Sequence, residues 1–298
     1  MSAPHVKCPV CESNRLRERP FGYLFNEKWL GAIECRECRI IFIHPQPTAD
    51  EITGMYSKGY FEGDFRCGHA GSYFDEATLS NLGDRTLLDR IKQYKSSGNF
   101  LEVGCAGGAF LNAAREAGFR ASGVEYSADA AAFARERFNL DVATGDLEGA
   151  RYHPSSFDVV FMGDVLEHLS DPVATVTEVH RVLRPGGILA IECPMQTNTV
   201  FSRTGFLVYS VMGKRATVHL PPYHLFEYRP ASMRRLLQRC GFDITLFKEV
   251  LIHPREVTLR GPVTQRIGKK LFQYPNYLIA STLGVLGDRV EVFATRRA

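Results

Sequence analysis

The chain has 298 residues, of which 45% are hydrophobic and 23% charged, a composition typical of a globular protein with one large domain and a smaller one. Its net charge of +3 gives no evidence for a groove that binds nucleic acid, which usually shows clustered basic residues. The first residues lack the apolar segment of a secretory signal, and no apolar run approaches the ~20 residues of a membrane span. These features predict a cytoplasmic protein.

Two C-x-x-C motifs lie near the start of the chain. Cys8 and Cys11 form the first motif, and Cys35 and Cys38 form the second. Each motif delivers two thiolates from a tight turn, as a tetrahedral zinc site requires. The segment is too small for an adequate core of its own, so metal would supply most of its folding free energy. We predict a closed, structural zinc site; disulfides are the alternative, which a reducing compartment disfavours.

Two short helices are predicted after the second motif. An apolar strand and a proline-rich exit lead to the first helix, which begins near Asp50, and an amphipathic pattern predicts the second helix between Leu79 and Ile91. We therefore divide this part of the chain into a zinc ribbon at 1–48 and a linker with cap helices at 49–97. Three tyrosines in or beside these helices are candidates to face the active site: Tyr56, Tyr60 and Tyr73.

Residues 99–127 predict a strand, a tight turn, a helix and a second strand. The apolar first strand ends in a turn of small residues that begins at Gly104, and the second strand ends on Glu125. A βαβ unit places such a loop and carboxylate side by side at the carboxyl ends of two parallel strands, where open α/β sheets bind ligands. A carboxylate there can accept hydrogen bonds from both hydroxyls of a ribose. The pattern predicts an adenosine ligand.

The spacing of the turn indicates which adenosine cofactor fits. Glu102, Gly104 and Gly108 give E-x-G-x-x-x-G, whereas a dinucleotide fingerprint requires G-x-G-x-x-G. Glu102 would repel a pyrophosphate but can hold an ammonium group, which favours S-adenosylmethionine over NAD. Ala106 stands at the middle position, and alanine fits there provided that the position does not need positive φ.

Further candidate residues follow the next two predicted strands. The third strand ends near Asp146 and Leu147, and the fourth leads to Gly163 and Asp164 and then to the sequence V-L-E-H-L-S-D-P, which contains His168. Loops at the carboxyl ends of sheet strands carry most ligand contacts in such folds. These residues are therefore candidates for the same site.

The chain resembles the class I S-adenosylmethionine-dependent methyltransferases in its E-V-G-C-A-G-G turn, its F-D-V-V strand with the V-L-E-H-L loop, and its L-R-P-G-G-I-L-A-I-E-C-P run. The resemblance implies a Rossmann-like α/β domain at 98–298, with a seven-stranded sheet, helices on both faces and one antiparallel strand near the end. The segment at 6–62 resembles the zinc-binding module ahead of some bacterial glycan and natural-product methyltransferases. The fold class expected is thus this sheet preceded by a small β-rich zinc ribbon.

The resemblance and the loop pattern together give the expected cofactor contacts. They are Glu102, Gly104, Cys105, Ala106, Gly108, Glu125, Tyr126, Asp146, Leu147, Gly163 and Asp164. Relatives use the acid at the position of Asp146 to bind the adenine amino group, although a plain turn is the alternative. In ubiquinone-pathway O-methyltransferases an E-x-x-E-H triplet holds a divalent metal. This makes Asp164, Glu167 and His168 alternative metal ligands here.

The segment at 194–228 is predicted as a substrate or lid insertion, because long ordered loops beside a site usually close it. Methyl transfer requires an aligned nucleophile and a base, and histidine is the obvious base at neutral pH. His224 is the first candidate, His219 the second, and His168 also qualifies. Sugar C-methyltransferases carry a Tyr-x-E-H element in this region, and Pro221 and Tyr223 break that pattern here.

These observations predict methyl transfer from S-adenosylmethionine to a small-molecule or carrier-bound acceptor, at a hydroxyl of a sugar, lipid or natural-product intermediate. Three alternatives stay open: an RNA methyltransferase with a zinc ribbon, a C-methyltransferase acting on a nucleotide sugar, and a non-catalytic zinc-and-nucleotide module. Against RNA stands the G-D-V-L sequence after the fourth strand, where RNA enzymes carry an aromatic motif. The amphipathic segment at 263–286 is expected to pack on the domain, with a homodimer face or peripheral membrane contact as alternatives.

Overall fold

The computed structural model describes residues 6–56, 60, 74–76, 79–80, 86–251, 274–279 and 281–297. The strands are β1 (Leu16–Phe25), β2 (Lys28–Cys35), β3 (Ile41–His44), β4 (Gly98–Val103), β5 (Phe119–Glu125), β6 (Asp141–Thr144), β7 (Phe157–Gly163), β8 (Leu183–Pro194), β9 (Ala216–Val218), β10 (Phe226–Glu227), β11 (Phe242–Val250) and β12 (Arg289–Arg296). The helices are α1 (Ala49–Met55), α2 (Thr86–Tyr94), α3 (Ala109–Glu116), α4 (Ala128–Phe138), α5 (Pro172–Val182), α6 (Val200–Val211) and α7 (Pro230–Arg239). Short 3-10 turns cover Leu166–His168 and Gln196–Asn198. Tyr73 and all of residues 252–273, which include the first part of the predicted amphipathic segment at 263–286, lie outside the described residues.

The larger sheet has seven strands in the order β11-β12-β8-β7-β4-β5-β6. The strands from β8 to β6 are parallel, and β12 runs antiparallel between β8 and β11. The chain leaves β4 towards β5 and later returns to β4's other side with β7, which creates a switch point where ligands bind in open α/β sheets. This topology confirms the predicted Rossmann-like methyltransferase fold.

The smaller sheet joins two distant parts of the chain. Its five strands lie in the order β10-β3-β2-β1-β9, so β9 and β10 from the 194–228 segment complete the N-terminal hairpin. The same segment contains helix α6, whose Phe206 ring stacks on Phe21 of β1 with centroids 5.3 Å apart. The segment predicted as a substrate or lid insertion therefore contains two strands and a helix, and its strands pair with edges of the N-terminal sheet. The boundaries at 48 and 98 stay predictions, and this sheet crosses them.

One continuous core connects the two sheets. Apolar side chains of the N-terminal module, including Val10, Ile40 and Phe42, pack in the same buried cluster as Phe226 and Tyr228 and the strands of the larger sheet. Two backbone hydrogen bonds add to this contact: the Ile43 N–H donates to the Leu225 carbonyl at 3.0 Å, and the Leu225 N–H donates to the Glu167 carbonyl at 2.8 Å. The module is thus packed directly against the loop that follows β7. Within the described part of the chain, no helix has the length and apolarity needed to cross a membrane.

Candidate functional site

A cavity of about 810 Å³ opens at the carboxyl ends of β4, β5, β7 and β8. The glycine-rich loop after β4, the end of β5 and the loop after β7 line it, and residues of α1 and α2 form the opposite wall. All predicted cofactor contacts except Gly108 line this cavity, as does His168; His219 and His224 do not. Gly108 is instead the N-cap of α3, with a φ of 79°.

The loop after β4 is held tightly against its neighbours. The N–H groups of Gly104 and Cys105 both donate to the Val124 carbonyl, at 2.7 and 3.2 Å. A Cβ at Gly104 would lie 2.5 Å from a methyl carbon of Val165, so a side chain there would collide with the loop that follows β7. Alanine is expected to fit at this position provided that the position does not need positive φ. Ala106 has a φ of 47°, so that condition is not met. The left-handed conformation costs an alanine about 1–2 kcal/mol.

Two buried glutamates flank the loop. Glu125 accepts hydrogen bonds from the Ala106 N–H and the Ser127 N–H, both at 2.8 Å, which fixes the orientation of its carboxylate. Glu102 is 6% exposed, and its Oε2 has no hydrogen-bond partner among the described residues. Burial raises the pKa of Glu102 well above its usual range, and the nearby charge of Glu125 adds to the effect; burial also raises the pKa of Glu125. A cationic group bound between these carboxylates would stabilise their charged forms and so lower both pKa values again.

The remaining predicted contacts occupy the ends of the cavity. Asp146 accepts from the Gly149 N–H through Oδ1 at 2.7 Å, the turn geometry given above as its alternative role, and it still lines the cavity beside Leu147. Tyr126 is 44% exposed at the rim. Asp164 has a φ of 53°, and Arg289 of β12 forms an ion pair with its carboxylate at 2.5 Å.

The histidines lie together but differ in their access to the cavity. His168 lines it, and its Nδ1 lies 2.7 Å from the Tyr223 carbonyl and 2.9 Å from the Tyr56 hydroxyl. Because a carbonyl oxygen only accepts hydrogen bonds, Nδ1 carries the proton and Nε2 is the unprotonated nitrogen, which lies 3.7 Å from a Glu167 oxygen. The His224 ring stands behind it, with ring centroids 5.0 Å apart, and its Nδ1 lies 3.6 Å from a Glu227 oxygen. His219 is exposed on the surface.

Burial and neighbouring charges separate the titration of these groups. Burial, helped by the charge of His224, lowers the pKa of His168 to about 4, so this imidazole is neutral at physiological pH. Burial also acts to lower the pKa of His224, but the carboxylates of Glu227 and Glu167 outweigh it and leave this pKa raised. Burial beside Asp164 raises the pKa of Glu167 to about 8. Ligand atoms of Glu167, His168 and His224 all lie within 4.8 Å of one another.

Arg90 and Glu192 are among the lining residues that the sequence predictions missed. Arg90 of α2 reaches the cavity and pairs with Glu291 of β12 at 2.6 Å. No sequence signal identifies it, because its position depends on how α2 packs on the sheet. Glu192 lies near the carboxyl end of β8, and burial raises its pKa. The rule that strand ends carry ligand contacts would have selected it.

The four cysteines of the N-terminal motifs converge at a second location. The Cys8 and Cys38 sulfurs are 3.6 Å apart, as are those of Cys11 and Cys35, and all four lie within 4.8 Å of one another. The two motifs have the same backbone turn. The Glu12 N–H donates to the Cys8 carbonyl, the Arg39 N–H donates to the Cys35 carbonyl, and both residues have positive φ. Tetrahedral zinc with bonds of ~2.3 Å places sulfurs ~3.8 Å apart, which this cluster matches.

Comparisons with known proteins agree with the fold and the cavity. Residues 101–191 match a family model described as a methyltransferase domain. The chain is 30% identical over 159 residues to a probable S-adenosylmethionine-dependent methyltransferase of Mycolicibacterium smegmatis, covering 53% of this chain and 57% of that protein. It is 28% identical over 153 residues to a ubiquinone biosynthesis O-methyltransferase of Thiobacillus denitrificans, covering 48% and 63%.

Solved structures show the same fold at low sequence identity. A methyltransferase from Archaeoglobus fulgidus that depends on S-adenosylmethionine matches with a TM-score of 0.51 and 19% identity, covering 80% of this chain and 97% of that chain. The cyclase SpnF matches with a TM-score of 0.55 and 18% identity, covering 85% and 98%. A cyclase with this fold shows that the fold alone does not determine the reaction.

These findings identify a methyltransferase domain at residues 101–191. The curated relatives support an S-adenosylmethionine-dependent enzyme. The chain spans about three fifths of the length of the curated relatives that match it first, at 57% and 63%. The reaction of the whole protein is therefore argued below from its own residues.

Proposed function

We propose that this protein transfers the methyl group of S-adenosylmethionine to a hydroxyl of a small-molecule or carrier-bound acceptor. The observation that carries the proposal is the pair of buried glutamates beside the loop after β4. Glu102 keeps an unpartnered oxygen, and Glu125 is oriented by two N–H donors. A buried orphan carboxylate oxygen is costly and indicates a ligand that donates to it.

The chain's residues fit that cofactor at each end of the cavity. We assign the ribose hydroxyls to Glu125, the cationic ammonium to Glu102, and the adenine to Asp146 and Leu147. Gly107 of this loop lines the cavity, so its backbone is available to a ligand that approaches closely. Arg90 supplies a positive charge for the carboxylate of the cofactor. When bound, S-adenosylmethionine supplies an already activated methyl electrophile.

His168 is the base that the geometry favours for the acceptor. It lines the cavity, whereas the first sequence candidate, His224, stands behind it. The Tyr223 carbonyl holds its tautomer, which leaves Nε2 to accept the hydroxyl proton. The pKa of about 4 keeps His168 neutral throughout the physiological range, so Nε2 is unprotonated there, but it also makes the imidazole a weak base. Tyr56 and Tyr60 also line the cavity, so the acceptor meets aromatic rings.

Hydroxyl acceptors are supported by the relatives as well as by the base. Several matched proteins are named ubiquinone biosynthesis O-methyltransferases. For the cysteine cluster we propose a structural zinc ion, since four thiolates leave no open position for catalysis. Zinc-bound thiolates persist in a reducing compartment, as the predicted cytoplasmic location requires.

The test is methyl transfer to an extract of the source organism. The full chain is incubated with S-adenosylmethionine carrying a labelled methyl group, and products are separated into small molecules, RNA and protein. We expect label in the small-molecule or carrier fraction with the wild type and none with Glu125→Ala. Label in RNA would contradict the acceptor class, and cofactor binding without label in any fraction would contradict the proposed activity.

A further inference from the structure

Four arginines surround one carboxylate on the N-terminal sheet. Glu34 of β2 is fully buried. Its oxygens lie within 3.5 Å of guanidinium nitrogens from four side chains, which we call the arginine cluster: Arg17 at 2.7 Å, Arg39 at 2.9 Å, Arg19 at 3.2 Å and Arg229 at 3.5 Å. Arg17 and Arg19 come from β1, Arg39 from the second cysteine motif, and Arg229 from the start of α7. The cluster thus joins three separate parts of the chain.

The charges of the cluster do not balance. One carboxylate neutralises one guanidinium, and among the described residues no second carboxylate forms an ion pair with any of the four. The effect is visible at Arg229, whose pKa is lowered to about 10 by burial and by the charges of Arg203, Arg39 and Arg19. Positive charge held in a half-buried place without counterions is unfavourable. Within the part of the chain that the structure describes, three of these four guanidinium charges therefore have no carboxylate partner of their own.

Hydrogen-bonding capacity is also unused. The Nε atoms of Arg19 and Arg229 are buried, and no described residue supplies an acceptor for them. The side chains of Arg17 and Arg39 are 36% and 41% exposed, so the outer edge of the cluster reaches solvent. Arg19 is also held from below, since its guanidinium carbon lies 4.4 Å from the centre of the Phe206 ring. Fixed guanidinium groups with free donors match the geometry of a phosphate.

We propose that the arginine cluster binds a phosphate-type oxyanion, such as a phosphoryl group of a ligand. A phosphoryl dianion offsets most of the excess charge and supplies several acceptors at once. None of the four arginines lines the cavity beside the glycine-rich loop. The site is therefore separate from the proposed methyl-transfer site, and its occupancy is measured without any methyl acceptor.

The test is isothermal titration calorimetry, in which inorganic pyrophosphate is titrated into the purified full chain. A parallel titration with sodium chloride of the same ionic strength is the control for nonspecific salt effects. The double variant Arg17→Gln with Arg39→Gln removes the two accessible members, and we expect it to weaken pyrophosphate binding at least about tenfold. The matched control is Arg15→Gln, because Arg15 lies in the same module, is 72% exposed and pairs only with Glu37 at 2.5 Å. This control should bind pyrophosphate like the wild type.

Glu34→Gln gives an independent measurement. Removal of the one carboxylate should tighten pyrophosphate binding, and any loss of thermal stability should be recovered when pyrophosphate is added. Three results would overturn the proposal: no binding above the sodium chloride control, equal binding by the double variant and the wild type, or binding of a single-stranded RNA that pyrophosphate does not displace. The last result would assign the cluster to nucleic acid. Inorganic phosphate in place of pyrophosphate shows whether one phosphoryl group suffices.

Discussion

Ala106 carries backbone strain at the centre of the cofactor loop. Its φ of 47° is a conformation that glycine adopts freely and alanine does not. We therefore expect Ala106→Gly to raise the free energy of unfolding by about 1 kcal/mol, measured by urea denaturation. The matched control is Ala174→Gly at an exposed position of helix α5, where glycine should cost up to about 1 kcal/mol. A loss of stability at both positions would contradict the strain.

Glu125 orders the loop and, in the proposed function, holds the ribose. Glu125→Ala removes the acceptor of the Ala106 and Ser127 N–H groups together with the contacts to the ligand. We expect the affinity for S-adenosylmethionine to fall at least about tenfold in titration calorimetry. Glu136→Ala, at an exposed position of helix α4, is the control and should bind like the wild type. An unchanged affinity for Glu125→Ala would refute the ribose assignment.

The lowered pKa of His168, the proposed base, should make the stability of the protein depend on pH in a measurable way. Its pKa of about 4 in the folded state lies below the ordinary value of 6.5, so between these values only the unfolded chain binds the proton. Its contribution to the free energy of unfolding therefore rises with pH across that window. We expect the stability difference between the wild type and His168→Gln to grow from pH 4.5 to 6.5 in denaturation experiments.

His224 serves as a control, because its contribution to the free energy of unfolding should change with pH in the opposite direction. Because its pKa is raised, its contribution is full below pH 6.5 and is lost as the pH rises through the folded-state pKa. Buried carboxyl groups elsewhere titrate in both the wild type and the variant, so their contributions to the difference in unfolding free energy cancel. If His168→Gln and the wild type differ by a constant amount over the whole range, His168 is not the buried neutral imidazole that the proposed base requires.

At the scale of secondary structure, periodicity and strand order predict the large sheet but not the small one. The apolar runs of β4, β5, β7 and β8 are long enough to identify, and their carboxyl ends place the predicted carboxylates on one cavity. β9 and β10 have three and two residues, so neither carries a pattern of its own. Their identity as strands depends on partners about 190 positions earlier in the chain, which local sequence does not encode.

The order in which sequence ranked the candidate histidines, His224 before His168, was also limited by the lack of information on tertiary packing. Sequence places His224 in an insertion beside the site and His168 in a strand-end loop, but only packing decides which ring faces the cavity. Glu167 and Glu227 turn towards His224 on the side away from that space. Arg90 was missed for a related reason, because helix propensity says nothing about the direction in which α2 presents its charged side. Contacts set by tertiary packing are the part that sequence patterns leave open.

The two cysteine motifs predict that the N-terminal module binds one zinc ion. Purified protein should contain about one zinc ion per chain, measured by atomic emission. Cys11→Ser removes one thiolate and should abolish stoichiometric zinc, whereas Cys240→Ser, which alters a cysteine outside the cluster in contact with Thr177, should keep it. Fully folded wild-type protein without metal would contradict the site.

At the scale of the whole molecule, the zinc module and the cavity share a wall. β3 pairs with β10, the Leu225 N–H donates to the Glu167 carbonyl, and α1 contributes Ile52 to the cavity lining. The glycine-rich loop, in contrast, rests on β5 through the Val124 carbonyl. Loss of the zinc site should therefore loosen the acceptor side of the cavity more than the cofactor side.

We expect chelation of zinc to increase amide hydrogen exchange at 165–169 and 223–227, with little change at 101–105. S-adenosylhomocysteine should retain its affinity within about a factor of 2 in titration calorimetry, since the proposed ribose and ammonium contacts lie on β4 and β5. The Cys240→Ser variant treated with the same chelator controls for effects on cysteines outside the cluster. Equal increases in exchange at 101–105 and 165–169 would show global unfolding and contradict this coupling, because the module would then support the entire fold rather than one wall of the cavity.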